Sequence, residues 1–154
     1  MWQRIQTVFL VIAIVSLLAA ILQPIWLFTD ASGKEYELFA LHFTIIEKGI
    51  RTTYYFPYTI TAILAIAAIT VAITQIRKYK DRMLQLKLGV LNSFLLALTL
   101  GAGLYFFMDM NKNYPGGRMG LGFWLPGVAV MCNWLAMRFI RRDENIVRDS
   151  QRLR

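Results

Sequence analysis

One cysteine, one histidine, four prolines and nine acidic residues are all that 154 residues hold of the types that staple, ligate, break or acidify a chain. Cys132 alone excludes an intrachain disulfide and a cysteine-based metal cluster. It lies far beyond the first apolar stretch, so it is not placed to carry an N-terminal lipoprotein anchor. His42 has Glu35, Glu37 and Glu47 nearby in sequence. A strand register scatters such residues, so they form no metal motif, and His42 reads as a packing residue of a loop. No cofactor is expected. Gly116-Gly117 and Gly120-Leu121-Gly122 lack both a preceding strand and a following Lys-Ser/Thr, which excludes a phosphate loop and leaves a turn before a helix.

The absence of charge from particular places is more informative. No Asp, Glu, Lys or His lies deep in any of the four apolar runs, near Thr7–Phe28, Pro57–Ile76, Leu88–Met108 and Leu121–Ile140. Proton relays and coupled transporters need such groups. Paired broken helices are also missing, apart from Pro24 and Pro126. Transport by this chain alone is therefore not expected.

What is present is hydrophobicity: 57% of residues, with a mean hydropathy of +0.49. A soluble domain is about 45–50% apolar. Each run meets the length of about 20 residues that a bilayer core requires. Backbone groups in hydrocarbon must be satisfied within the segment, so the runs read as helices despite their β-branched residues. The first is too long for a signal-peptide core and reads as an uncleaved anchor, kinked or ended by Pro24.

Four spans put both termini and the loop at 77–87 on one side. That side carries Arg4, then Arg77, Lys78, Lys80, Arg82 and Lys87, then Arg138, Arg141, Arg142, Arg148, Arg152 and Arg154. The other carries Lys34, Lys48, Arg51, Lys112 and Arg118. Twelve of the 17 basic residues on one side orient the chain with both termini in the cytoplasm. The net charge of +8 is explained by this asymmetry, and nucleic acid is not an expected partner. Aromatic residues such as Trp26, Tyr54, Tyr55, Tyr105 and Trp124 gather at the outer border.

The outer loop at 29–56 contains turn signals at Asp30-Ala31-Ser32-Gly33 and Glu47-Lys48-Gly49, with alternation across 38–45. It reads as a short β-hairpin over the helix ends. The expected fold is a single-domain all-α membrane protein: a four-helix transmembrane bundle with a small extracytoplasmic β-hairpin and a short cytoplasmic C-terminal amphipathic helix. In that helix Ile146, Ser150 and Leu153 share one face, and Arg141, Arg148 and Arg152 the opposite one. Such a helix suits anionic lipid at the cytoplasmic face or a docked partner.

The start MWQRIQTVFLVIA, the LQPIW at the outer edge and the tail WLAMRFIRRDENIVRDSQRLR resemble a family of small four-span bacterial inner-membrane proteins known only as a domain of unknown function. The matching positions are Gln3 to Thr7, Arg138, Arg141 to Glu144, and Asp149 to Arg154. The resemblance covers the whole chain. It implies the topology and a bacterial inner membrane, and brings no activity or catalytic residue.

Three groups of residues are candidates for more than span formation. Asn92 and Asn133 are the deepest polar residues and are expected to hydrogen-bond across helices. Gly101 and Gly103 are expected to let a helix of this chain or another approach closely. Asp30 and Asp109 both sit at outer helix ends, where a carboxylate pair sharing a proton would resemble the aspartic protease device. The leading expectation is a non-catalytic accessory or scaffolding subunit of a membrane complex or homo-oligomer. The alternatives are an interface enzyme acting on lipid or lipoprotein through Asp30 and Asp109, and a bundle binding lipid or a small molecule beneath the hairpin.

Overall fold

A computed structural model describes the backbone of residues 3–79 and 81–152 and the side chains of residues 5–79 and 81–145. The chain is mostly helical, with four long apolar helices and one small antiparallel sheet. The elements run α1 (Gln3–Leu22), β1 (Trp26–Thr29), β2 (Glu35–Leu38), β3 (Phe43–Glu47), β4 (Ile50–Tyr54), α2 (Thr59–Arg77), α3 (Arg82–Asn113), β5 (Arg118–Met119) and α4 (Leu121–Arg152). Each helix is long and apolar enough to cross a membrane. At 1.5 Å per residue, α3 and α4 reach about 48 Å. That exceeds a hydrocarbon core of about 30 Å.

The helices form a four-membered ring in which α1 packs on α2 and α4, and α3 packs on the same two. Small side chains set the spacing: Ala13, Ala65, Ala68, Ala129 and Ala136 are buried between helices. Small residues allow backbones to approach where lipid-like surroundings supply no hydrophobic drive between helices. On α3 the buried stripe runs Gln85, Gly89, Asn92, Leu96, Thr99, Gly103, Phe106 and Met110, alternating steps of three and four. Asp81 starts this helix by accepting a hydrogen bond from the Leu84 amide at 3.0 Å.

The sheet differs from the expected hairpin. Five strands lie in the order β4-β3-β2-β1-β5. Three corrections follow. The first apolar run does not stay helical to residue 28. Pro24 disfavours helix at Gln23 and supplies no amide, so α1 ends at Leu22 and Trp26–Thr29 becomes a strand. The alternation across 38–45 is likewise broken by a tight turn, in which Phe39 donates to the His42 carbonyl at 2.8 Å. The 118–119 segment, expected to be plain turn, pairs with β1 and covers that edge of the sheet. The turn of Lys48 and Gly49 joins β3 to β4 with both residues at positive φ, as a two-residue hairpin requires.

One face of the sheet is apolar and rests on the helix ends opposite the termini. Trp26, Leu38 and Phe43 are buried with Ala62 of α2 and Phe106 and Met110 of α3. Aromatic rings carry the contact onward: Tyr36 lies tilted against Tyr114 at 4.5 Å, Phe43 lies tilted against Tyr58 at 5.6 Å, and Tyr58 meets Phe106 edge-on at 5.2 Å. The C-terminal helix continues the fourth span, because α4 runs without a break through residue 152. The side chains of Ile146, Arg148 and Arg152, and all of Leu153, lie outside the described residues.

Close helix approach occurs at glycines other than Gly101 and Gly103. A Cβ at either of those would meet no atom of this chain within 4 Å. A Cβ at Gly120 or Gly122 would instead strike the backbone carbonyls of Pro24 and Gln23. Gly122→Ala should therefore destabilise the fold by about 1–3 kcal/mol, the usual cost of overpacking. Gly101→Ala should leave it within about 0.5 kcal/mol. Unfolding of both variants in mild detergent checks the contrast, and equal effects would refute this account of the α1–α4 junction.

Candidate functional site: a buried amide layer

Polar side chains collect on the inside of the bundle, toward the end that holds the termini. Gln6 of α1, Gln75 of α2, Gln85 and Asn92 of α3, and Asn133 of α4 are each at most 3% exposed. Every helix thus contributes a side-chain amide.

Asn133 is the centre of the network. Its Nδ2 donates to the Gly89 carbonyl at 3.1 Å and to Ser93 Oγ at 2.8 Å. Its Oδ1 accepts from Asn92 Nδ2 at 3.2 Å. The two asparagines singled out by sequence are therefore in direct contact. Ser93 Oγ also donates to the Gly89 carbonyl at 3.0 Å. Gly89 makes the approach possible, since a Cβ there would lie 2.6 Å from Met137 Cγ and 3.0 Å from Gln75 Nε2. Beside it, Gln85 Nε2 donates to the Gln75 carbonyl at 2.9 Å. Below the layer, Arg82 Nη1 donates to the Asp143 carbonyl at 2.8 Å and ties the start of α3 to the extension of α4.

Gln6, Gln75, Gln85, Gly89 and Ser93 were not singled out from sequence. Their signal is a stripe of small and polar residues at alternating three- and four-residue spacing, which hydrophobic periodicity does not detect.

The two aspartates are not brought together. Asp30 is in the turn between β1 and β2, where its carboxylate accepts from the Ala31 amide and Ser32 Oγ, both at 2.7 Å. Those bonds hold its pKa below the usual carboxylate value. Asp109 is exposed on α3, within electrostatic reach of Tyr58. Among the described residues no hydrogen bond joins Asp30 to Asp109, and no group of three or more His, Cys, Asp and Glu could hold a metal ion. His42 stacks on Phe39 at 4.9 Å and also meets the Tyr55 ring.

Among the described residues, three of the concavities bear on the expected binding sites. A cavity of about 20 Å³ lies beneath the sheet among all four helices, with Thr61, Ala65, Thr99, Gly103 and Phe123 in its wall. It has room for one water-sized group. Ligand pockets for drug-sized molecules are about 300–1,000 Å³. An outer groove of about 400 Å³ lies against the sheet, walled by Tyr36, Ile45, Ile50, Tyr54 and Tyr114. A third, of about 370 Å³, lies on α4 among Trp134, Met137, Arg138 and Arg141.

The chain belongs to the family described as Domain of unknown function (DUF4293), whose model matches residues 2–153. A comparison with curated proteins finds no match.

Asn133→Ala leaves Asn92 Nδ2 buried without its acceptor and should cost about 1–3 kcal/mol. Replacing Asn92 and Asn133 together by Leu removes both partners at similar volume and should cost less than the single change. Unfolding in micelles reads the order, and a double variant weaker than Asn133→Ala would contradict it. The sheet should respond to pH at both extremes. Asp30, with its pKa lowered, stabilises its turn above the unfolded value of 3.8, and this is lost as pH falls through the folded value. Lys34, raised chiefly by its hydrogen bond to Glu47 at 2.9 Å, contributes below its unfolded value of 10.5, and this is lost as pH rises through the folded value. Amide exchange in the 30–34 turn should quicken at the acid end, beyond the intrinsic pH dependence of exchange, and Asp30→Asn should remove that response.

Proposed function

We propose that this member of the family is a multi-pass protein of a bacterial inner membrane, with both termini cytoplasmic. In this reading it serves as a non-catalytic accessory or scaffolding subunit of a membrane complex. The observation that carries the membrane reading is the inverted distribution of polarity. Outward positions are large and apolar, with Val15, Ile63, Phe94 and Met131 between 59% and 68% exposed, while the amides of Gln75, Gln85, Asn92 and Asn133 are inside. Water as solvent would favour the reverse. Lipid as solvent favours this arrangement, because a polar side chain facing hydrocarbon has no partner. The charge asymmetry supports the orientation. The resemblance of both chain ends supports the bacterial inner membrane.

Two further observations support the accessory role. Strand β4 is exposed along its whole length at a sheet edge, beside exposed Tyr54, Tyr55 and Phe56. Helix α4 extends past the core on the opposite side, toward the basic residues at 141–154. Both ends thus offer surface beyond what the bundle needs for its own packing, and the basic extension suits anionic lipid or a protein partner. The interface-enzyme alternative gains no support from Asp30, whose carboxylate is taken up by the Ala31 amide and Ser32 Oγ of its own turn. The ligand-binding alternative keeps the outer groove but not the 20 Å³ cavity, which is far too small for a lipid chain.

Reporter fusions after residues 33, 79 and 115 test the topology, with the middle position expected cytoplasmic and the outer two extracytoplasmic. Affinity purification from native membranes, with and without residues 143–154, tests the role. The reading expects a stoichiometric protein partner. A partner lost with residues 143–154 would support it, and recovery of the full-length chain alone under mild solubilisation would overturn it.

A further inference from the structure

The groove on α4 has a chemistry that the amide layer does not use. Its walls are Trp134, Met137, Arg138 and Arg141. Steps of three and four place these side chains together on the outer surface of one helix. The Arg138 guanidinium sits over the Trp134 ring, 5.6 Å from its centroid, a cation–π contact that orients the group. The floor is fixed from behind, because Met137 lies against Gly89 of α3, the residue that also accepts from Asn133. Among the described residues, no carboxylate lies within ion-pair distance of Arg138 or Arg141. Two neighbouring guanidiniums without a counter-charge call for an anion that can accept several N–H donors at once. Phosphate oxygens match that fork geometry.

The surroundings determine which phosphate. Phe139 stacks on Phe9 at 5.6 Å, so the groove lies level with the start of α1, at the inner end of the apolar spans. From Trp134 toward the opposite end, the same surface continues through exposed Met131, Val128 and Trp124. A free phosphate has no use for that strip, whereas an acyl chain does.

We propose that Arg138, Arg141 and Trp134 form a binding site for the phosphodiester of an anionic glycerophospholipid of the inner leaflet, with its acyl chains lying along Met131 and Val128. The proposal rests on the membrane reading above and narrows its anionic-lipid contact from a diffuse basic surface to one cradle. A defined site differs from surface attraction in its dependence on position and on guanidinium geometry.

The test is a titration of the full-length chain in mild detergent with phosphatidylglycerol, read by native mass spectrometry, with phosphatidylethanolamine as reference. Arg138→Gln with Arg141→Gln should weaken phosphatidylglycerol binding about thirtyfold, the factor expected from two basic contacts. Lys78→Gln with Lys87→Gln removes the same charge outside the groove and should change binding little. Arg138→Lys with Arg141→Lys retains charge without the fork and should fall between. Equal losses for the two glutamine pairs, or full recovery with lysine, would reduce the contact to general surface charge and overturn the proposal. Displacement of the lipid by inorganic phosphate alone would overturn it as well, since the site would then be one for a free anion. Both arginines are exposed, so the substitutions leave the packed core untouched. The titration has no sidedness, so an error in orientation would show in the reporter fusions and not here.

Discussion

The side-chain amide of Asn133 holds together what the rest of the bundle requires. It binds Asn92 through its oxygen, and both Ser93 and the Gly89 carbonyl through its nitrogen, so a single residue of α4 fixes its depth and rotation against α3. Apolar packing between Ala- and Leu-lined helices has little directional preference and tolerates sliding by a turn. Hydrogen bonds with defined partners do not. The amide network therefore supplies register, while the small residues on the facing stripes allow the distance at which those bonds can form. Gly89 is the residue where both conditions meet, since any side chain there would push Met137 and Gln75 away.

That register reaches both ends of the molecule. At the end that holds the termini, Arg82 binds the Asp143 carbonyl and secures α4 beyond the packed core. At the opposite end, the short connection from α1 and the glycines at 120 and 122 bring the starts of β1 and α4 together, and β5 then pairs with β1. The sheet is thus seated by both helix pairs, and its aromatic face fills the space above α2 and α3. In the proposed orientation the molecule has a rigid outer cap, a lipid-facing middle and a long basic inner helix. Its polar groups serve mostly to hold the architecture.

Much of this architecture was legible in the residues. The four helices, their order, the turn at 30–33 and the depth of Asn92 and Asn133 all follow from run length, turn chemistry and the scarcity of deep polar groups. The sheet was only half legible. Alternation marks strands one at a time, but whether Trp26–Thr29 leaves its apolar run to pair with 35–38 depends on Pro24 ending the helix and on the partner strand being present. The two-residue β5 has no local signal, because it exists only through its pairing with Trp26 and Leu27. Within this chain the close approaches fall at Gly89, Gly120 and Gly122 for a related reason. Gly101 and Gly103 stand out as a small-residue pair within an apolar run, but which face a helix buries is decided over several turns. Gln85, Asn92 and Thr99 turn α3 so that Gly101 points outward. Asp30 is committed to the β1–β2 turn through Ala31 and Ser32, a partnership that closeness in depth along the sequence does not reveal.

The central claim is that lipid surrounds the apolar outer faces of these helices. Accessibility of single cysteines along α3 to a membrane-impermeant maleimide in intact membranes, in a background with Cys132 replaced, tests it most directly. Leu91, Phe94 and Leu98 are all exposed at the protein surface, Phe94 by 62%. The account predicts that cysteines at these three positions stay unlabelled, and that one at Lys112, beyond the outer border, is labelled. Labelling at positions 94 and 98 comparable to that at 112 would mean that water bathes this face, and would contradict the account at its base.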